Sequence, residues 1–102
     1  MLARIWRGQA TTEKAGDYQR HFTDHVAPQL KELAGHRGAL LLRRESNGEV
    51  EFLAVTLWDS IESVRAFSGQ NTEVAIVEQE ARAALSSFDD FARHYDIVHE
   101  GT

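Results

Sequence analysis

The hydrophobic pattern is clearest in the middle of the chain, where two apolar segments flank a turn. Residues 38–45 and 49–58 are rich in leucine, valine and aromatic side chains, which are typical of strands. Asn47 and Gly48 between them readily adopt the positive φ angles of a tight turn, so the pattern predicts a β-hairpin. Apolar residues occupy consecutive positions in both strands, so both faces of the predicted sheet are apolar.

A first strand and a long helix are predicted before this hairpin. Residues 2–7 have a strand pattern that Gly8 is expected to end. Apolar residues then recur at three- and four-residue intervals from Ala15 to Leu33, which predicts an amphipathic helix with one face on the sheet. Pro28 lacks an N–H donor, so we expect a kink or break in the turn before it.

Two helices and a last strand are predicted after the hairpin. The first helix is capped by Asp59 or Ser60 and ends at Gly69. The periodicity predicts a second helix over residues 71–85. Residues 88–98 contain aromatic and β-branched side chains that favour a strand.

This order of elements predicts an α+β fold of the ferredoxin-like βαββαβ type, with an antiparallel sheet and helices on one side. The chain of 102 residues is long enough for one domain, residues 1–102. Its helices can cover only one face of the sheet. Because the other face is also apolar, we expect it to pack on a second copy of the chain, forming a homodimer through the sheet faces.

Composition narrows the classes of partner and the chemistry. The formal net charge of -5, without a basic run, argues against nucleic acid as a partner. The chain has no cysteine, so disulfides, thiolate metal sites and thiol catalysis are excluded. No apolar run approaches the ~20 residues of a membrane span, and the start lacks a signal-peptide pattern, so we expect a cytoplasmic protein without a membrane partner.

Three segments resemble a known family. They are residues 3–8, residues 52–62 continuing to Ala66 and Phe67, and residues 93–98. On these segments nearly the whole chain resembles the antibiotic biosynthesis monooxygenase family of dimeric α+β barrels. The resemblance implies a homodimer with facing sheets and, in each subunit, a ligand cavity between sheet and helices.

The reactions of this family differ between relatives, so the resemblance does not fix the chemistry. Some relatives oxidise polycyclic phenols to quinones with oxygen and no cofactor, whereas others bind and degrade haem. Trp58 matches a tryptophan of the haem-degrading relatives. However, residues 1–8 contain no asparagine and residues 62–87 contain no histidine at the positions where those relatives carry them. We therefore expect no cofactor.

Arg4 and Trp6 lie on the same face of the first strand and are candidate site residues. A buried arginine needs a partner or a wet cavity, because burying its charge alone is costly. Arg4 is therefore a candidate to steady a phenolate or a bound oxygen species, with Trp6 packing on the ligand. The alternative is an interface salt bridge between Arg4 and an acidic residue such as Glu51 or Asp96.

Trp58 and His94 are the other candidate catalytic residues. Trp58 lies where a strand leads into a helix, and its indole can stack on a flat ring or donate its N–H to a substrate oxygen. The alternative is a core tryptophan that closes the end of the barrel. A neutral imidazole at His94 can take a proton from a phenol, whereas the alternative is a structural histidine.

The remaining candidates lie on helices. His21 and His25 are four residues apart, a spacing that can bind a divalent metal. The pair lacks the glutamate of a metalloprotease motif, so no metal site is predicted. Candidate ligand-binding side chains beside Trp6 lie on both predicted helical crossovers: Tyr18, Phe22, His25 and Phe67.

These residues lead to one hypothesis and one alternative. The hypothesis is a homodimer that binds a flat aromatic molecule of the phenol or quinol type and oxidises it with oxygen. The alternative is a non-catalytic ligand-binding or stress-response dimer of the same fold, in which the cavity binds without turnover.

Overall fold

The computed structural model describes residues 1–101, which form a five-stranded antiparallel sheet with helices packed on one side. The strands are β1 (Leu2–Thr11), β2 (His36–Ser46), β3 (Glu49–Trp58), β4 (Ser87–Phe88) and β5 (Arg93–Asp96). Their order across the sheet is β2, β3, β1, β4, and β5 also pairs with β1. This is the order of the predicted ferredoxin-like α+β fold, so the fold class is confirmed.

The central hairpin is present as predicted. Strand β3 begins and ends at the predicted residues, and β2 extends slightly beyond its predicted range. Asn47 and Gly48 form the turn with φ angles of 54° and 79°. These positive angles are the ones that favour Asn-Gly in a two-residue hairpin loop.

The outer strands differ from their predictions. Strand β1 continues through Gly8 to Thr11, because Gly8 pairs with Phe52 inside the sheet rather than forming a turn. A Cβ atom at Gly8 would lie 3.1 Å from the Trp6 ring, so the glycine makes room for the indole. The single last strand predicted over residues 88–98 is also wrong: two short strands, β4 and β5, take its place.

The first crossover is interrupted before Pro28, as predicted. It consists of α1 (Ala15–His21), a π-helical turn (Phe22–Val26) and α2 (Ala27–Lys31). Pro28 lies in the first turn of α2, directly after the π-helical turn, and has no N–H to donate to a carbonyl of that turn. The sheet-facing stripe remains continuous across the interruption, with Tyr18, Phe22 and Leu30 buried.

The second crossover begins as predicted with α3 (Ile61–Ser68). Ser60 caps it by accepting a hydrogen bond from the Ser63 backbone N–H, and Gly69 ends it with a φ angle of 83°. The carboxylate of Asp59, the alternative cap, instead pairs with Arg37 at 2.6 and 2.8 Å.

The helix predicted over residues 71–85 is wrong for most of its length. Only α4 (Gln79–Ala84) is helical, and residues 70–78 cross the molecule without helical structure. Their backbone bonds to the segment between β4 and β5: the Ala75 N–H donates to the Asp90 carbonyl, and the Ala92 N–H donates to the Glu73 carbonyl. These inter-segment hydrogen bonds take the place of the backbone hydrogen bonds that a helix would form.

Alternate residues of the sheet therefore face two different environments. The covered face packs against the helices and contains the fully buried side chains of Val50, Phe52 and Trp58. The open face has no helix on it. Its apolar side chains are Ile5, Leu40, Leu42, Leu53, Val55 and Leu57. None of the helices in residues 1–101 is long and apolar enough to cross a membrane.

Candidate functional site

A small, partly open cavity lies between the covered face of the sheet and the helices. Its volume is about 60 Å³. Strands β1 and β3, the first crossover, α3 and the irregular segment 70–78 all contribute to its wall. The lining residues are Arg4, Trp6, Tyr18, Phe22, Val26, Leu30, Ala54, Thr56, Phe67, Ala75 and Ile76.

Four aromatic side chains form much of the cavity wall: Trp6, Tyr18, Phe22 and Phe67. The rings of Trp6 and Tyr18 are 6.2 Å apart between centroids, and the Trp6 indole N–H donates to the Asp89 carbonyl at 2.7 Å. Burial raises the pKa of Tyr18 above its usual value, so its hydroxyl stays protonated at neutral pH. This wall is suited to contact with a flat apolar ring.

Arg4 is the charged group at this cavity and is only 4% exposed. Its guanidinium donates to the backbone carbonyls of Thr72 and Val74, the latter at 3.0 Å, and to Nε2 of His94 at 3.0 Å. It also lies 5.6 Å from the centre of the Phe67 ring. Burial lowers the pKa of Arg4 to about 10, so the side chain is still charged at neutral pH.

The partners of Arg4 are all neutral. It forms no ion pair with a carboxylate within residues 1–101. The predicted alternative, a salt bridge to Glu51 or Asp96, is not made within the chain, since Glu51 instead accepts from Arg7 and Arg44. A buried guanidinium without an anion has the charge and donors to bind an anionic oxygen.

His94 lies behind Arg4 and is not part of the cavity wall. Because arginine can only donate, His94 Nε2 must accept from Arg4, and the ring proton is then on Nδ1. Burial, followed by the nearby positive charge of Arg4, lowers the pKa of His94. The lone pair that would take a substrate proton is thus already bonded to Arg4.

Trp58 is fully buried beneath the cavity and does not line it. It packs with Leu2, Leu30 and Val64, which is the arrangement of the core tryptophan considered above. Its indole N–H donates to the Thr56 hydroxyl oxygen at 2.9 Å. Thr56 does line the cavity, and this bond leaves its own hydroxyl proton free to be donated to a ligand.

His25 lies outside the cavity as well. It is exposed and lines an outer groove between α1, the π-helical turn and α4, together with His21. His21 is buried and neither ring nitrogen has a hydrogen bond within residues 1–101, although Nε2 lies 3.9 Å from Glu78 Oε1, and its ring is 5.7 Å from that of His25. Among the described residues, no three histidine, aspartate or glutamate side chains come together to hold a metal.

Of the eight residues singled out in the sequence, the cavity brings together Arg4, Trp6, Tyr18, Phe22 and Phe67. Sequence reasoning missed Thr56, although it is a polar residue at a covered-face position between Ala54 and Trp58, which is a detectable signal. It also missed the wall formed by the irregular segment 70–78. Nothing in the periodicity of that segment indicates its position, because the pattern there is helical.

Comparison with solved structures identifies the fold. A putative antibiotic biosynthesis monooxygenase from Bacillus cereus superposes with a TM-score of 0.68 and 12% identity over 99% of this chain and 96% of that one. A putative antibiotic biosynthesis monooxygenase from Deinococcus radiodurans superposes with a TM-score of 0.63 and 14% identity, over 100% of this chain and 97% of that one. The haem degrader MhuD of Mycobacterium tuberculosis, with two haems bound in its active site, gives 0.65 and 19% over the full length of both chains.

These similarities confirm that the chain has the fold of the family that its sequence resembles. No protein-family model matches the chain, and no curated protein matches it in sequence. At 12–19% identity, the structural similarity concerns the fold and leaves the reaction to be argued from the cavity.

Proposed function

We propose that this protein binds a small, flat aromatic molecule with an acidic oxygen, of the phenol or quinol type, and oxidises it with molecular oxygen. The observation that carries the proposal is Arg4, a buried guanidinium without a carboxylate partner in residues 1–101, at a cavity with aromatic walls. Three of its N–H groups are engaged, and a guanidinium has five.

In this proposal Arg4 holds the ligand as its anion. A positive charge beside a phenolic oxygen favours the phenolate, which is the electron-rich form that reacts with oxygen. Thr56 donates its free hydroxyl proton to a second ligand oxygen, and Trp58 fixes the orientation of that hydroxyl. Trp6 and Phe67 pack on the ring. His94 acts as a positioning residue for Arg4.

The reaction balances with oxygen as the oxidant. A ring CH₂ or C–H that is activated by the phenolate donates electrons to O₂, one oxygen atom forms the new carbonyl, and the other leaves as water with two protons. Proteins of this fold that are named as putative antibiotic biosynthesis monooxygenases support this class of reaction.

The cavity residues do not fit haem. A haem iron needs an axial ligand such as histidine, and no histidine lines the cavity within residues 1–101. His94, the nearest candidate in the sequence, uses its Nε2 lone pair for Arg4. No step of the proposed reaction therefore involves haem.

A second candidate function is ligand binding without turnover. It is favoured by the lack of a free base: the polar side chains of the cavity wall are Arg4, Tyr18 and Thr56. Both Arg4 and Tyr18 are protonated at neutral pH, because the pKa of Arg4 is still about 10 after burial has lowered it and burial raises the pKa of Tyr18. In this case a ligand must enter already ionised or lose its proton to water.

Oxygen uptake distinguishes the two functions. We expect the protein to accelerate oxygen consumption by an anthrone or a dihydroquinone, and Arg4→Met to abolish the acceleration. Arg65→Met removes an exposed arginine of α3 and is the matched control, expected to keep the wild-type rate. Saturable binding of the same compounds without oxygen uptake would instead establish the non-catalytic function.

We also propose that residues 1–102 act as one domain within a homodimer whose open faces pack together. The support is the apolar character of the open face, on which Leu40 and Leu42 are 54% and 47% exposed in the single chain. Apolar patches of this kind commonly mark protein interfaces.

A further inference from the structure

The cavity is closed on one side by a strap that has no helical structure. Residues 72–76, here called the roof, cross the cavity, and Ala75 and Ile76 line it. Two backbone hydrogen bonds around a bridge between Val74 and Phe91 join the roof to the segment between β4 and β5: the Ala75 N–H donates to the Asp90 carbonyl, and the Ala92 N–H donates to the Glu73 carbonyl. Ile76 is 44% exposed although it also lines the cavity, so the roof is one side chain thick.

The cavity is too small for the ligand while the roof is in place. Its volume is about 60 Å³, whereas an apolar cavity that accepts benzene has about 150 Å³. The walls formed by β1, β3 and the helices consist of packed elements that cannot separate without losing core contacts. The roof is therefore the part of the wall that must move when an aromatic ligand enters.

Arg4 connects the roof to the sheet. It reaches from β1 and donates to the carbonyl oxygens of Thr72 and Val74, so two roof peptides depend on one buried side chain. These acceptors are neutral. An anionic oxygen adds charge–charge attraction to its hydrogen bond with a guanidinium, which a neutral carbonyl oxygen does not.

His94 is a further partner of the Arg4 guanidinium. Its Nε2 accepts from the guanidinium at 3.0 Å, and the Phe67 ring lies 5.6 Å from the guanidinium carbon. Neither residue belongs to the roof. Arg4 therefore keeps its position when the roof carbonyls leave, and its freed N–H groups face the cavity.

We propose that Arg4 is an anion-selective latch: an ionised ligand oxygen replaces the Thr72 and Val74 carbonyls on the guanidinium and thereby releases the roof. The inference rests on the proposed function of the cavity and adds the class of ligand, namely flat aromatic phenolates and carboxylates rather than their neutral analogues. A neutral ligand cannot displace the carbonyls, because it offers Arg4 no better acceptor than they do.

Hydrogen exchange of the roof amides tests the latch without any ligand. In Arg4→Met, exchange of residues 72–76 is expected to be at least about tenfold faster than in the wild type, since two hydrogen bonds to a charged group are lost. Arg65→Met is expected to match the wild type. Arg4→Lys keeps the charge with fewer donors and serves if the methionine variant does not fold. Unchanged roof exchange in a folded Arg4 variant would overturn the latch.

A matched pair of ligands tests the selectivity at one pH. 2-Naphthoate is charged at pH 7.5, and 2-naphthamide has the same shape without the charge. We expect calorimetry to show that naphthoate binds at least about tenfold more tightly than naphthamide. We also expect naphthoate, and not naphthamide, to accelerate amide exchange in the roof relative to the free protein. Equal binding of both ligands would overturn the latch alone, whereas binding of neither would overturn the proposed function together with it.

Discussion

The two faces of the sheet use the same strands in opposite ways. On the covered face, Phe52 and Trp58 are fully buried by the chain's own helices, whereas Leu40 and Leu42 of the open face are about half exposed. The covered face thus obtains its stability from this chain. The open face contains comparable apolar surface that only a second molecule can bury.

The two faces also differ in the partners of their charged side chains. On the open face, Glu51 of β3 accepts hydrogen bonds from Arg7 of β1 and from Arg44 of β2, and these bonds lower the pKa of Glu51. On the covered face, Arg4 has neutral partners only. Charges that stabilise the fold, such as those of Glu51, Arg7 and Arg44, are paired within the chain. The unpaired charge marks the cavity where a ligand is expected.

The first prediction concerns the stability that the covered face gains from its largest buried side chain, Trp58. Trp58→Ala is expected to lower the free energy of unfolding by about 3–5 kcal/mol, because it leaves a cavity in the core and an unpaired Thr56 hydroxyl. Urea denaturation measures this loss, which should not depend on protein concentration. Leu40→Ala is the comparison on the open face. If the dimer forms, its smaller loss should depend on concentration, and equal losses in both variants would contradict the difference between the faces.

The second prediction concerns the junction where the helices meet the sheet. Gly35 leads into β2 with a φ angle of 84°, and a Cβ atom there would lie 2.1 Å from Ser63 Oγ of α3. Gly35→Ala is expected to destabilise by about 2–5 kcal/mol, the sum of left-handed strain and steric overlap. Gly48→Ala is the matched control, since its φ angle is 79° and no atom lies within 4 Å of the added Cβ.

Thermal or urea unfolding of both glycine variants separates the two contributions. Gly48→Ala reports the strain alone, about 1–2 kcal/mol. A loss of the same size for Gly35→Ala would show that α3 shifts away from the sheet at little cost, which would contradict a rigid covered face.

The third prediction tests whether the open face is an interface. Leu40→Glu places a charge on this face at an exposed leucine of β2, and burying a leucine is worth about 1.5–3 kcal/mol. Because a symmetric dimer contains the site twice, the dimer Kd is expected to rise at least roughly 100-fold. Sedimentation across a concentration series measures it, with Gln29→Glu on the exposed side of α2 as the control. A wild-type chain that is monomeric at all concentrations would refute the homodimer.

The sequence was sufficient to predict the parts of the fold that follow from local patterns. Asn47 and Gly48 specify their turn through backbone preferences alone, and the stripe from Ala15 to Leu33 follows from helical periodicity. Gly8 lies inside the strand and not at its end, and the sequence does not reveal this because glycine occurs both in turns and within sheets. Its role depends on the Trp6 ring, which is a tertiary contact.

The site was predictable only in part for the same reason. Strand alternation placed Arg4 and Trp6 together, but alternation gives the face of a side chain and not its depth. Trp58 therefore lies on the covered face, as Arg4 and Trp6 do, but it is buried beneath the cavity and does not line it. The roof was missed because residues 71–77 have a helical pattern that is overridden by backbone bonds to residues 90–92 and to Arg4.

The smallest predicted effect is the pH dependence that His94 gives to the covered face. Its pKa is lowered in the folded protein, mainly by burial and then by Arg4, so the unfolded chain binds the proton more readily. Stability is therefore complete above the unfolded pKa of about 6.5 and is lost as the pH falls below it. The slope for one proton is at most about 1.4 kcal/mol per pH unit.

Urea denaturation between pH 5 and 7.5 measures this slope in a range where carboxylates are ionised. Burial lowers the pKa of His36 too, so His94→Gln should reduce the slope and the double variant with His36→Gln should reduce it further. His99→Gln, at an exposed histidine, is the matched substitution with which the His94→Gln slope is compared. An unchanged slope in His94→Gln would mean that the Arg4–His94 bond does not require a neutral imidazole. In that case His94 would not be the fixed support on which the release of the roof depends.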